Sequence, residues 1–344
     1  MLLPNSTSRR CAIAGLASLL LAPTVWAQSG GLLVRHANGE TRLPGTPRRV
    51  AVFDLAALDI LQTLGVEVTA VPKAQFPAHL AAYGADKYIK AGTLFEPDAA
   101  ALRAMQPDLI IVGSRSASKY ADMSAIAPTI DLSTSTQSFV GSVVANMLTL
   151  GRLFDRQAQA AAKAEELLLA TRTLQAKGAK AGKGLLLFVA GQGISPQPAQ
   201  TRFGVIYELI GITPAVVASD LPPPRARAAA GQPAAPAAGS PEAAAAEAQR
   251  RRDAELREQQ LATLLAKVQP DWLFVLDRNA ATGGQAQAEK LLAANSAIQQ
   301  TPAGRSQRVV HLDAPSWYLV GGGYGVLENT IAQVGRAFDL GRSA

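Results

Sequence analysis

The chain has almost no cysteine: among its 344 residues only Cys11 is one, and it falls in an N-terminal run that reads as removable. A mature protein without cysteine has no disulfide, thiol nucleophile or cysteine-built metal site. Histidine is nearly as scarce. His36, His79 and His311 are scattered, with no i, i+4 pair to hold a metal, and His311 reads as a structural residue of a strand. Aromatic residues make up 5% of the chain and charged residues 17%. No zinc-finger spacing, dense basic stripe or aromatic stacking signature points to nucleic acid. No nucleophile elbow, Walker loop or H-E-x-x-H occurs, and Gly321-Gly322-Gly323-Tyr324-Gly325 lacks the spacing of a dinucleotide fingerprint. Catalytic chemistry has no visible home. Long apolar runs are missing too, since Ala12–Ala22 falls short of the roughly 20 residues that a membrane span needs.

That short run has another reading. Arg9-Arg10 precede it, and Pro23-Thr24-Val25-Trp26-Ala27 follow it, with small residues at Val25 and Ala27. A charged start, a short apolar core and a small-residue site describe an export signal over residues 1–27, cut before Gln28. Ser8-Arg9-Arg10 fits a twin-arginine signal as well as a general secretory one. Export without cysteine suits a bacterial periplasm. Losing Arg9 and Arg10 takes the formal charge from +7 to +5, a mildly basic balance that favours an anionic ligand.

One short sentence is written twice in the chain. Residues 101–115 read ALRAMQPDLIIVGSR and residues 264–278 read LLAKVQPDWLFVLDR. Each copy is a helix end, a Pro-Asp turn, a buried strand, and an arginine where the strand stops: Arg115 in the first, Arg278 in the second. Two like units with like cations predict two like lobes facing a shared, anion-accepting cleft.

The rest of the chain agrees. In the first unit, strands are expected at 49–54, 66–71, 109–112 and 129–132, with helices at 55–64, 97–105 and 120–126 between them. In the second, strands are expected at 185–189, 212–217, 273–276 and 309–312, with helices at 204–210, 261–267 and 285–294. Strand alternating with helix predicts an α/β fold of mainly parallel sheets flanked by helices. A proline-free helical pattern from Ser142 to Lys177 predicts one long helix joining the lobes. The expected division is a leader at 1–27, an N-terminal lobe at 28–141, a linking helix at 142–180 and a C-terminal lobe at 181–344. Residues 218–260 interrupt the second lobe. Their first half is Pro/Ala/Gly-rich low complexity, and Pro241–Gln260 has the composition of a solvated helix.

Ligands of open α/β sheets bind beyond the carboxyl ends of the strands. Arg115 and Arg278 lie there, and a planar guanidinium fork suits carboxylate, phosphate or catecholate oxygens. Arg202 follows the loop Gly191–Pro196, whose glycine-rich backbone suits a site edge. Taken singly, each arginine reads as readily as a surface salt bridge; the matched places of Arg115 and Arg278 favour a shared role. Trp317 and Tyr318, beside the glycine run, either line a ligand mouth or pack the final helix.

These segments resemble a known family. Arg49–Asp54, Val71–Ala74, Asp86–Asp98, Ile126–Ile130, Leu148–Gly151, Thr201–Gly204, Leu276–Arg278 and Trp317–Leu319 together resemble periplasmic ferric-siderophore-binding proteins of ABC importers, the type with two α/β lobes joined by a long helix. The likeness is nearest to the branch for catecholate and mixed citrate-catecholate chelates. It implies a soluble, monomeric periplasmic receptor that is not an enzyme and has no permanent cofactor. Its ligand would be a ferric siderophore, handed to an inner-membrane permease. Arg115, Arg202 and Arg278 match the arginines that grip the chelate, and Tyr318 matches a tyrosine able to approach or ligate iron. Relatives dock through one glutamate per lobe, and here Ala100 and Thr263 stand at those places, with Glu96, Asp98 and Glu258 nearby. Haem, a corrinoid or another anionic chelate would suit the same fold; an exported enzyme acting on ferric chelates is the rival of a different class.

Overall fold

Continuous apolar runs become the central strands of two sheets in the computed structural model, which describes residues 31–221 and 240–341. The first sheet runs in the order Ile89–Lys90, Ala70–Val71, Val50–Val52, Leu109–Val112, Thr129–Asp131, parallel throughout. The second runs Thr213–Pro214, Lys183–Ala190, Trp272–Asp277, Val309–His311, also parallel. Alternate residues of each central strand enter different cores, as the two-residue period of a strand requires. Val50, Val52, Leu109 and Ile111 share an inner core with Leu186, Trp272, Phe274 and Leu276 of the second sheet. Ala51, Phe53, Ile110 and Val112 face an outer core of the first lobe, and Leu185, Leu187, Leu273 and Val275 face one of the second. Burial on both faces explains why these strands read as unbroken apolar runs.

The duplicated sentence is duplicated in structure. Helix Ala99–Met105 ends at Gln106 and helix Pro241–Val268 ends at Gln269, each in the left-handed conformation with φ of 52° and 44°. Proline then turns the chain, and the aspartate bonds the start of the neighbouring strand. Asp108 Oδ1 accepts from Arg49 N at 2.8 Å and from Arg48 N at 3.0 Å, while Asp108 N donates to Arg49 O at 3.0 Å. Asp271 Oδ2 accepts from Lys183 N at 2.8 Å, and Asp271 N donates to Lys183 O at 2.8 Å. Gly182 makes room for this contact: a Cβ there would lie 2.3 Å from Asp271 Oδ2, and its φ of +96° suits glycine.

Several features differ from the sequence reading. The Ser142–Lys177 pattern is carried by two helices, Phe139–Leu153 and Gln157–Gly178, and the second, of 22 residues, leads into the second sheet. The chain bends at Asp155, whose φ is 55°, and Gly151 admits Ala160 where the two helices cross. The Gly191–Pro196 stretch is not an open loop. Gly193–Gln197 is a strand that folds back antiparallel on Lys183–Ala190. Thr213–Pro214 and Ala70–Val71 are shorter than the expected 212–217 and 66–71. A hairpin, Leu32–His36 with Gly39–Leu43, precedes the first sheet. The solvated helix at 241–260 and the helix at 261–267 are one 28-residue helix, Pro241–Val268. Only Leu261, Leu265 and Val268 of it are buried, and the preceding turns are held by polar pairs such as Arg251–Glu247 at 2.6 Å. The expected leader and residues 222–239 of the insertion lie outside the described residues.

Two carboxylates from distant segments close the molecule. Glu208 accepts from Phe139 N at 2.7 Å and Val140 N at 3.0 Å, which satisfies the exposed donors at the start of helix Phe139–Leu153. Asp59, buried in helix Leu55–Thr63, accepts from Gly325 N at 2.9 Å at the start of helix Tyr324–Leu340 and pairs with His79 Nε2 at 3.0 Å.

The Pro-Asp anchors are testable. Asp108→Ala or Asp271→Ala leaves strand-edge N–H groups without their charged acceptor, and each is expected to lower the unfolding free energy by about 1–3 kcal/mol. Urea denaturation followed by circular dichroism measures this; midpoints equal to the parent's would contradict the anchoring role.

Candidate functional site

The carboxyl ends of the central strands of both sheets open on one cleft, and three arginines from three segments meet in it. Leu109–Val112 delivers Arg115 on the short turn Ser114–Lys119. That turn is fixed by Ser116 Oγ, which donates to Phe53 O at 3.1 Å and accepts from Gly113 N at 3.1 Å. Trp272–Asp277 delivers Arg278, the first residue of a helical turn capped by Asp277, whose Oδ1 accepts from Asn279 N at 2.8 Å. Arg202 lies on a turn held by Thr201 Oγ1, which donates to Pro198 O at 2.8 Å.

All three reach one residue. Ser316–Val320 is a widened helical turn closed by Gly321 N donating to Ser316 O at 2.9 Å, an i to i+5 bond. Arg115 Nη1 donates to Leu319 O at 2.9 Å and its Nη2 donates to Tyr318 O. Arg202 Nη2 donates to the same Tyr318 oxygen at 2.9 Å. Arg278 Nε donates to the Tyr318 hydroxyl at 3.2 Å. The Tyr318 ring stacks with Phe203 at 5.9 Å and Phe188 at 6.2 Å between centroids. The guanidinium carbons of Arg115 and Arg202 lie 5.2 and 5.1 Å from its centroid, within cation–π range. Below them opens a cavity of ≈ 70 Å³, continuous with solvent, whose lining includes Asp54, Arg115, Ser133, Arg202, Phe203 and Tyr318.

Electrostatics follow from this crowding. Burial lowers Arg115 first, and the charge of Arg202 adds to it, bringing it to about 10, while Tyr318 and Asp54 pull the other way. Burial lowers Arg202 as well. Burial pushes the Tyr318 phenol up, but the hydrogen bond and charge of Arg278, with the charges of Arg202 and Arg115, outweigh it and set the phenol below its ordinary value. Asp54 caps helix Leu55–Thr63 from the cavity floor and accepts from Ala57 N at 3.3 Å. Its burial raises it to about 6, with Asp131 adding to the rise and the Ala57 and Ala56 N–H groups and Arg115 opposing it.

The structure thus brings Arg115, Arg202, Arg278 and Tyr318 together. Arg278 stands exposed at the rim. Trp317 is different: it is buried, edges the cavity, and gives its indole N–H to Thr330 Oγ1 of the final helix at 2.8 Å. Sequence reasoning passed over Phe188, Phe203 and Asp54. Asp54 carries the same signal that marked the arginines, since it follows directly on the carboxyl end of a central strand. Phe188 is hidden in a run that reads as core. Among the described residues no group of His, Cys, Asp and Glu is placed to hold a metal ion, and no helix is long and apolar enough to cross a membrane.

Comparison with known proteins agrees with this architecture. The periplasmic binding protein family model matches residues 50–222, and the chain belongs to that family. The petrobactin-binding protein YclQ of Bacillus subtilis is 28% identical over 310 residues, covering 88% of this chain and 87% of YclQ. Its crystal structure superposes with a TM-score of 0.73 at 26% identity, over 90% of this chain and 99% of that one. The ferric-anguibactin-binding protein FatB of Vibrio anguillarum is 25% identical over 84% of this chain and 81% of its own. A TroA-like periplasmic binding protein from Xylanimonas cellulosilytica gives a TM-score of 0.69 at 32% identity, over 87% and 91% of the two chains.

Asp54 gives a pH test. Its folded-state value lies above the 3.8 of an ordinary carboxyl, so its stabilising contribution is full below pH ~4 and is lost as pH rises through about 6. Asp54→Asn keeps an acceptor for Ala57 N and removes the ionisation. It is expected to be more stable than the parent above pH ~6 by about 3 kcal/mol, with the gap closing below pH ~4. Urea unfolding across that range measures the gap, and a gap that does not change with pH would contradict a buried, late-ionising carboxyl.

Proposed function

We propose that this protein is an exported receptor that captures an anionic ferric siderophore in the cleft and delivers it to an inner-membrane ABC importer, without a chemical step of its own. One observation carries the reading: Arg115 and Arg202 line one cavity and Arg278 joins them on Tyr318, three arginines from three separate segments with no carboxylate of the described residues paired to any of them at salt-bridge distance. Positive charge concentrated in a partly desolvated cleft is matched by a compact polyanion, and a catecholate-type ferric chelate is one. YclQ and FatB, whose names specify petrobactin and ferric anguibactin, support that ligand class.

In this reading the arginines take the chelate's oxygens. The Tyr318 phenol, eased toward phenolate by the same arginines, stands next to the metal-bearing part of the ligand. The receptor works as a monomer and meets its permease with the cleft face. Ala100 offers no carboxylate to that contact, and Asp98 is occupied in capping, with Oδ1 accepting from Ala100 N at 2.9 Å. Exposed Glu258, and exposed Glu96 beside exposed Phe95, are the groups left to take the contact, Glu96 by giving up its ion pair with Lys119 at 3.3 Å.

Trp272 and Trp317 are the tryptophans beyond the expected leader, so their fluorescence reports on ligand entry. Ferric catecholates are expected to quench it saturably, and Arg115→Ala, Arg202→Ala or Arg278→Ala each to weaken binding by about 1–3 kcal/mol as a charged hydrogen bond is lost. Wild-type affinity in all three variants would sink the proposed site.

A further inference from the structure

The arginines of the cleft already hold something. Arg115 grips two neighbouring main-chain oxygens, Tyr318 O and Leu319 O, and Arg202 shares the first of them. The arrangement presents two adjacent acceptors to a guanidinium fork, as a bidentate ligand would. We infer that the Tyr318–Leu319 carbonyl pair is an internal competitor for the arginine site, which only a ligand bearing negatively charged oxygens displaces. This rests on the reading of the cleft as a ferric-chelate site, and it adds a selection rule to it.

The physical basis is an exchange. A ligand that enters must replace the hydrogen bonds between the arginines and the two carbonyls. A neutral oxygen offers a guanidinium no more than a peptide carbonyl does, so that exchange yields nothing and still disturbs the turn. An anionic oxygen forms a charge-assisted bond roughly twice as strong as a neutral one. The competitor therefore subtracts the same amount from every ligand and leaves a surplus only for anions.

The turn is built to give way. Trp317 is pinned below it by the bond to Thr330, and Gly322 is packed against Thr134, Val143 and Phe139. Between those fixed ends the chain passes through the widened turn and Gly321, whose φ of 69° and ψ of −90° are suited to glycine. A Cβ on Gly321 would meet only Trp317 O, at 3.7 Å, so a side chain there strains the backbone without crowding a neighbour. Gly321→Ala thus penalises the competing conformation itself.

Two measurements test this. In ligand-free protein, Arg115→Gln and Arg202→Gln are expected to raise hydrogen exchange of the Tyr318–Gly321 amides severalfold; exchange unchanged in both overturns the inference. In binding, a trianionic ferric tris-catecholate and an uncharged ferric tris-hydroxamate are compared by tryptophan quenching. Wild type is expected to prefer the anion by about tenfold or more, and Gly321→Ala to tighten both probes by the same factor, leaving that preference unchanged. Equal affinities in wild type, or Gly321→Ala binding neither probe more tightly than wild type, overturn it. Protein that binds neither probe while its exchange responds as expected would refute the ferric-chelate reading and uphold the carbonyl grip.

Discussion

Two aspartates, each bonded to the first peptide of the strand beside it, set the height at which everything at the far end of the sheets arrives. Asp108 ties Leu109–Val112 to Val50–Val52, and Asp271 ties Trp272–Asp277 to Lys183–Ala190. Because side chains alternate along a strand, a slip of one residue would exchange inner and outer cores and carry the cleft residues to the wrong level. The arginine positions are therefore fixed from the opposite edge of each sheet, by bonds made at the amino ends of the strands.

That constraint explains why so much was legible. The repeated Gln-Pro-Asp turn marked both anchors, and the apolar runs behind it marked strands buried on both faces. Arg115 and Arg278 followed from strand ends, and Arg202 came from its place after the loop. The misses have physical causes. Gly193–Gln197 contains Ser195 and Pro196 and alternates poorly, so nothing local distinguishes a strand at a sheet edge from a loop. The bend at Asp155 depends on a left-handed residue and on the crossing at Gly151, neither of which interrupts the helical composition. The aromatic stack of Phe188, Phe203 and Tyr318 joins three distant segments, which periodicity cannot connect.

The cleft itself balances opposed demands. Guanidinium groups crowded into a partly buried site resist desolvation and repel one another: burial lowers both Arg115 and Arg202, and the charge of Arg202 lowers Arg115 further. Main-chain oxygens and the faces of aromatic rings hold them in place without neutralising them. A carboxylate would hold them more firmly and would cancel the positive field of the cleft. Asp54 sits on the cavity floor, yet its burial favours the neutral form, so it subtracts less from that field than an exposed carboxylate would.

The capping of helix Tyr324–Leu340 by Asp59 has a consequence for biosynthesis. The inner core of the first lobe is sealed by a helix made near the end of the chain, which brings Tyr324, Val326, Leu327 and Val334 against residues such as Leu58 and Leu61. A nascent chain that has emerged only through its first sheet still exposes that apolar face. The first half of this protein is thus kept from maturing ahead of the second, and a ribosome that stalls before residue 324 leaves behind a substrate for chaperones and proteases.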